Sequence, residues 1–149
     1  MFLELPELPG TRDVALHGHA RLTPAVEGTQ WVGDLCGCRC DETLLQMAQQ
    51  LEAACTDAVR ASGLHPVGQV FHQFEPGGAT GLVLLAESHL AVHTWPERRF
   101  VSIDLYVCNF SEDNSSKASA LFGLLRQLFQ PDEIHAQTVA RGAVRQGNG

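Results

Sequence analysis

Between residues 29 and 140 the apolar positions change period along the chain, from two to between three and four and back, and each change marks an element. Thr29 to Cys36 reads as a strand that ends in Gly37-Cys38-Arg39-Cys40. Asp41 then offers an N-cap for a helix to about Ser62, with Leu44, Ala48, Leu51, Cys55, Ala58 and Ser62 spaced by three and four, and Gly63 suits the stop. Leu45, Met47 and Val59 widen that apolar stripe, so the helix is expected to cover a sheet. Pro66 to Phe74 returns to a β pattern, and Pro76-Gly77-Gly78 signals a turn. Gly81 to Ala86 is apolar without alternation, as expected of a strand buried on both faces.

Two alternating runs follow. His89, Ala91, His93 and Trp95 share one side against Leu90, Val92 and Thr94. From Phe100 to Cys108, Val101, Ile103, Leu105 and Val107 form an aliphatic face, opposite Phe100, Ser102, Asp104, Tyr106 and Cys108. One face belongs to a core; the other is chemically furnished and must meet solvent, a ligand or another sheet. Asn114, Ser115 or Ser116 can cap a last helix through Ala118, Leu121, Phe122, Leu125, Leu128 and Phe129, which Pro131 ends. Glu133 to Ala140 is a final strand, and Arg141 to Gly149 a polar tail. The order β-α-β-β-β-β-α-β predicts an α+β fold, a mainly antiparallel sheet with helices on one face. Residues 1–28, aperiodic and carrying Pro6, Pro9 and Pro24, read as an irregular N-terminal extension, leaving 29–149 as a single domain.

Composition narrows the partners. At 149 residues, 44% hydrophobic and 18% charged, the chain is long enough for one sizeable core and is of ordinary globular type. A net charge of -7 argues against nucleic acid, whose phosphates want clustered Lys and Arg, and is compatible with a cationic small substrate. The N-terminus lacks the basic start and apolar core of a signal peptide, and no run reaches membrane-spanning length, so no membrane partner and a cytoplasmic location are expected. Five cysteines, an odd count, are then best read as reduced thiols.

Three stretches carry candidate chemistry. Cys36, Cys38 and Cys40 tempt toward a metal or a non-enzymatic thiol or metal-binding protein. Structural sites, however, use pairs two to four residues apart with a second pair elsewhere, and that pair is missing, so no metal site is assigned. His17 and His19 could join such a site but sit in a polar, loop-like segment. The third stretch, Leu82 to Glu97, concentrates the Ser88 hydroxyl, two imidazoles and two carboxylates. Ser88 near His89 and His93 suggests a hydrolase, yet the glycine-flanked elbow of such serines is absent. Cys108 with His93 can be written as a thiol and its base, while Cys108 reads equally as a small buried hydrophobe and His89 as a satisfied structural histidine.

Ala86-Glu87-Ser88-His89-Leu90-Ala91-Val92-His93-Thr94-Trp95-Pro96-Glu97, with Phe71-His72-Gln73-Phe74 before it and Ile103 to Cys108 after it, resembles the prokaryotic S-adenosylmethionine decarboxylases over about residues 29 to 142. The resemblance implies that the bond between Glu87 and Ser88 splits autocatalytically and that Ser88 becomes a pyruvoyl cofactor, which forms a Schiff base with the substrate amine. It implies roles for His93 in processing, Cys108 as proton donor, Glu97 on the ribose hydroxyls and Phe74 near the nucleoside. A packing role stays open for Phe74. It further implies a two-layer protomer pairing into an α-β-β-α homodimer, and a product used in spermidine synthesis. Asn109 stands where the family commonly has glycine, Gln30 where a histidine is frequent and Trp31 where a smaller aliphatic is usual. The first strand and the loop after Cys108 adjoin the family's pocket, and relatives use the same group on ornithine or arginine. Those substrates are the alternative.

Overall fold

The computed structural model describes residues 27–110 and 112–142. Most of the expected N-terminal extension, with His17 and His19, and the end of the polar tail lie outside the described residues. The elements run β1 (Gly28–Cys36), α1 (Glu42–Gln46), α2 (Ala48–Ala61), β2 (Pro66–Gln73), β3 (Ala79–Leu85), β4 (Ser88–Trp95), a 3-10 turn (Pro96–Arg98), β5 (Phe100–Cys108), α3 (Ser115–Phe129) and β6 (Glu133–Arg141). All six strands form one antiparallel sheet in the order β2-β3-β4-β5-β1-β6. β2 to β5 are therefore a meander, and β1 is laid between β5 and β6. Among the described residues no helix is long and apolar enough to cross a membrane.

The register explains the two alternating runs. Leu90 pairs with Leu105, Val92 with Ile103 and Thr94 with Val101, all buried under the helices. Leu51, Cys55 and Val59 of α2 and Leu121, Leu125 and Phe129 of α3 complete that core, where burying each large aliphatic side chain contributes about 1.5–3 kcal/mol. His89 pairs with Tyr106, Ala91 with Asp104, His93 with Ser102 and Trp95 with Phe100 on the opposite face, which no element of the described chain covers.

Three expectations are corrected. The helix foreseen from Asp41 to Ser62 is two helices, because Met47 adopts an extended backbone (φ -110°, ψ 116°). At the break Gln73 accepts from the Ala48 amide at 2.6 Å and donates to the Gln46 carbonyl at 2.7 Å, replacing helical partners that the kink removes. Met47 is consequently exposed and does not widen the core stripe, whereas the cap by Asp41 and the stop at Gly63 (φ +87°) hold. β3 is buried on one face only, since Ala79, Gly81, Val83 and Leu85 face the helices while Leu84 on the other side is 45% exposed. Finally, Asn114 occupies the N-cap position of α3 without capping it. Asp113 accepts from the Ser115 amide at 2.9 Å instead, and the Asn114 side chain is engaged elsewhere.

Candidate active site

Leu85 pairs with Ser88 across a turn made of Ala86 and Glu87 alone, so β4 begins directly at Ser88. The Ser88 hydroxyl lies against the carbonyl oxygen of Glu87 and accepts a hydrogen bond from the Cys108 amide at 2.7 Å. Continuing the register in which His89 faces Tyr106 sets Glu87 opposite Cys108. An ordinary antiparallel pair there would exchange two backbone hydrogen bonds. Here both of the Cys108 ladder groups go to side chains: its N–H to Ser88 Oγ, and its carbonyl to Asn114 Nδ2 at 3.0 Å. Asn114 Nδ2 also donates to Glu87 Oε2 at 3.3 Å, and the asparagine is only 6% exposed. A cavity of about 90 Å³ lies beside the turn, lined by His65, Glu87, Ser88, Asn114 and Lys117 among others. On the β1 side Gly28 makes room for this corner, because a Cβ there would fall 2.8 Å from the Val107 carbonyl oxygen and 3.0 Å from the Tyr106 ring. The hydroxyl thus lies beside the carbonyl group of the peptide bond that joins Glu87 to Ser88.

A second group of polar residues gathers farther along the sheet. Phe74, Thr80, His93, Trp95 and Glu97 line a cleft of about 270 Å³ on the uncovered side. Thr80 Oγ1 and His93 Nδ1 are 3.0 Å apart, which fixes the imidazole ring, and His93 and Trp95 stack at an angle with centroids 6.1 Å apart. Phe74 is 46% exposed and packs edge-on against His72, so the core role left open for it is not the one it takes. Glu97 also borders an adjoining cleft with Glu42 and Glu75, which makes the surroundings acidic.

The six residues singled out in the sequence thus form two groups, Glu87, Ser88 and Cys108 in one and Phe74, His93 and Glu97 in the other. Ser88 and His93 are five residues apart on β4, about 17 Å along a strand, so a single chain does not bring the imidazole to the hydroxyl. Neither the Ser88 hydroxyl's amide donor nor its carbonyl neighbour is an imidazole, as a Ser-His-Asp triad would require. Two contributors escaped the sequence reading. Thr80 gave no signal beyond a strand threonine, and Asn114 was legible only as a helix cap.

Between the groups, Gln30 is a hub. Its amide donates to both Asp104 oxygens at 3.0 and 3.1 Å and accepts from Arg141 Nη1 at 2.6 Å, while the Arg141 guanidinium lies 5.1 Å from the centroid of the Tyr106 ring. The cysteine run behaves as packing. Cys38 and Cys40 are buried, Cys38 Sγ donates to the Leu35 carbonyl at 3.5 Å, and the Arg99 side chain donates to the carbonyls of both cysteines. Burial pushes the Cys38 thiol up to about 11 and raises Cys40 as well. Among the described residues no group of three or more His, Cys, Asp or Glu is arranged to hold a metal ion.

The model of the family described as S-adenosylmethionine decarboxylase matches residues 29–142. The chain belongs to that family. Among its decarboxylase relatives, the S-adenosylmethionine decarboxylase proenzyme of Archaeoglobus fulgidus is 32% identical over 117 residues, 78% of this chain and 99% of the relative. The proenzyme of Aquifex aeolicus is 34% identical over 119 residues, 80% of this chain and 84% of the relative. A crystal structure of the adenosylmethionine decarboxylase from Aquifex aeolicus VF5 superimposes with a TM-score of 0.72 at 30% identity, covering 83% of this chain and 98% of that one. Membership in a decarboxylase family also overturns the alternative of a non-enzymatic protein.

Proposed function

We propose that this chain is a self-cleaving decarboxylase that acts on S-adenosylmethionine and so supplies spermidine synthesis. The observation that carries the reading is the Ser88 hydroxyl resting against the Glu87 carbonyl with the Cys108 amide on its oxygen. In the single domain of residues 29–149 the cut falls between 87 and 88. Ser88 Oγ attacks the Glu87 carbonyl carbon, the peptide C–N bond breaks, and the acyl group passes to oxygen as an ester. Loss of the α-proton of residue 88 then expels the Glu87 carboxylate, leaving a dehydroalanine that takes up water and releases ammonia. A serine is needed because one oxygen must be both nucleophile and leaving group.

The residues around position 88 fit a pyruvoyl group made this way: the serine is already turned onto the bond to be cut. Such a group supplies a ketone for the substrate amine and a neighbouring amide carbonyl that takes up the electrons left when carbon dioxide departs. Cys108, at the end of β5 beside position 88, gives the proton that replaces the carboxylate. Glu97 holds the ribose hydroxyls, and Phe74 and Trp95 offer faces to the adenine and to the sulfonium charge.

One protomer keeps the two groups apart, and this supports a homodimer. The uncovered sheet face carries exposed Val70, Leu84, Trp95 and Val139, more apolar surface than a solvated strand face needs. Closing two such faces across a two-fold axis gives the α-β-β-α arrangement. It also brings His93, with Glu97 and Phe74, from one protomer toward Ser88 and Cys108 of its twin. His93 then removes the α-proton during processing.

Intact-mass measurement under denaturing, reducing conditions tests the proposal. Two chains are expected, the one beginning at position 88 reacting with hydrazine, and Ser88→Ala is expected to stay whole. Decarboxylation assays with S-adenosylmethionine, ornithine and arginine side by side are expected to favour the first. Wild-type protein that remains uncut, or dominant turnover of either amino acid, would overturn the corresponding half of the reading.

A further inference from the structure

We infer that Asn114 is a positioning residue for self-cleavage, which clamps the Glu87–Ser88 peptide to the end of β5. The inference rests on the processing reading above and deepens it. A ladder continued by two residues would lock the Glu87 peptide to Cys108 and hold its carbonyl in the sheet. The Asn114 amide prevents this by taking the Cys108 carbonyl at 3.0 Å, and Ser88 Oγ takes the Cys108 N–H at 2.7 Å. The same Nδ2 holds Glu87 Oε2 at 3.3 Å, so one buried amide grips the residue before the scissile bond and the strand that donates to the attacking oxygen. A buried side chain that satisfies a carbonyl and a carboxylate at once is costly to remove, because each acceptor then loses a donor.

Asn114 is itself held in place. Its backbone N–H donates to Asn109 Oδ1 at 2.9 Å, Asn109 Nδ2 donates to Ser115 Oγ at 3.3 Å, and the Asn109 backbone N–H donates to the Glu27 carbonyl at 2.8 Å. Freed by Asp113 from capping α3, the Asn114 side chain is available to the cleavage corner.

The experiment follows the appearance of the two chains by intact mass after synthesis of the full proenzyme, with circular dichroism to confirm folding. Asn114→Ala is expected to cleave about 10- to 100-fold more slowly than wild type, as a small misplacement of a reacting group does. Asn114→Asp, of the same shape, sets a carboxylate against Glu87 and is expected to be slower still. Adding Glu87→Gln supplies a donor to that carboxylate and is expected to restore about tenfold, a rescue that a merely structural asparagine would not give. Asn114→Ala cleaving at the wild-type rate, or no rescue in the double variant, overturns the inference while the processing reading stands. Where Asn114→Ala yields no folded protein, the rescue alone decides, and wild-type protein that stays whole overturns the processing reading itself.

Discussion

Thr80 and His93 face each other across the β3–β4 pair, with Thr80 Oγ1 3.0 Å from His93 Nδ1. For His93 to take a proton at Nε2, Nδ1 must carry hydrogen and donate it to that hydroxyl, an acceptor role that a hydroxyl can fill. Thr80→Val keeps the strand shape and removes the acceptor. It is expected to slow self-cleavage roughly tenfold, whereas Thr80→Ser is expected to stay near wild type, and the time course of chain separation by mass reads both. Equal rates for the valine and serine variants would remove Thr80 from the mechanism.

The gap between Ser88 and His93 within one chain makes a prediction about two chains. His93→Ala and Ser88→Ala, each expressed alone, should remain uncut. Co-expressed, they are expected to form mixed dimers in which the intact His93 of the Ser88→Ala chain reaches the intact Ser88 of the other. Cleavage confined to the His93→Ala chain, identified by its mass, is the expected outcome. Co-expressed chains that both stay whole would mean that the histidine does not act across the dimer.

The strand and helix pattern was legible because each element buries one face: β4 and β5 alternate in sequence as they do in space, and α3 has its stripe on the sheet. What the sequence did not carry was set by distant partners. The break at Met47 depends on Gln73, a residue of β2 with nothing in its own neighbourhood to announce the role. The apolar run of β3 was read as doubly buried, and Leu84 lies open in a single chain, the outcome if its second cover is another copy. The candidate site was singled out through its motif, but its division into two groups comes from the length of β4: Ser88 and His93, close in sequence, are about 17 Å apart along the strand. Asn114 could not be told from a cap because Asp113, beside it, is equally able to do that work.

Buried thiols predict a loss of stability in alkali. Burial pushes Cys38 up to about 11 and Cys55 to about 12, from an ordinary 9.0. Their folded values are raised, so their contribution is fully present below pH 9 and fades as the pH climbs toward 11 and 12, because only the unfolded chain ionises in that window. Thermal melts between pH 7 and 11 should therefore fall with pH beyond 9. The double variant Cys38→Ala, Cys55→Ala should start lower, from the cavities it leaves, yet decline less steeply over the same range. Parallel declines would assign the loss to other groups.

Cys108 is expected to separate making the active site from using it. Toward Ser88 and Asn114 it offers only its backbone, the N–H to Ser88 Oγ and the carbonyl to Asn114 Nδ2, and neither depends on the thiol. Cys108→Ala should therefore cleave at close to the wild-type rate and yield a chain that reacts with hydrazine. Once the substrate carboxylate has left, however, the carbon it occupied needs a proton, and a positioned acid at that step contributes about 10²- to 10⁴-fold. Turnover of S-adenosylmethionine by Cys108→Ala should fall by that order while substrate binding, read by equilibrium dialysis, changes little. A variant that cleaves slowly and, once cut, turns over normally would reverse the assignment and make the thiol part of the processing step.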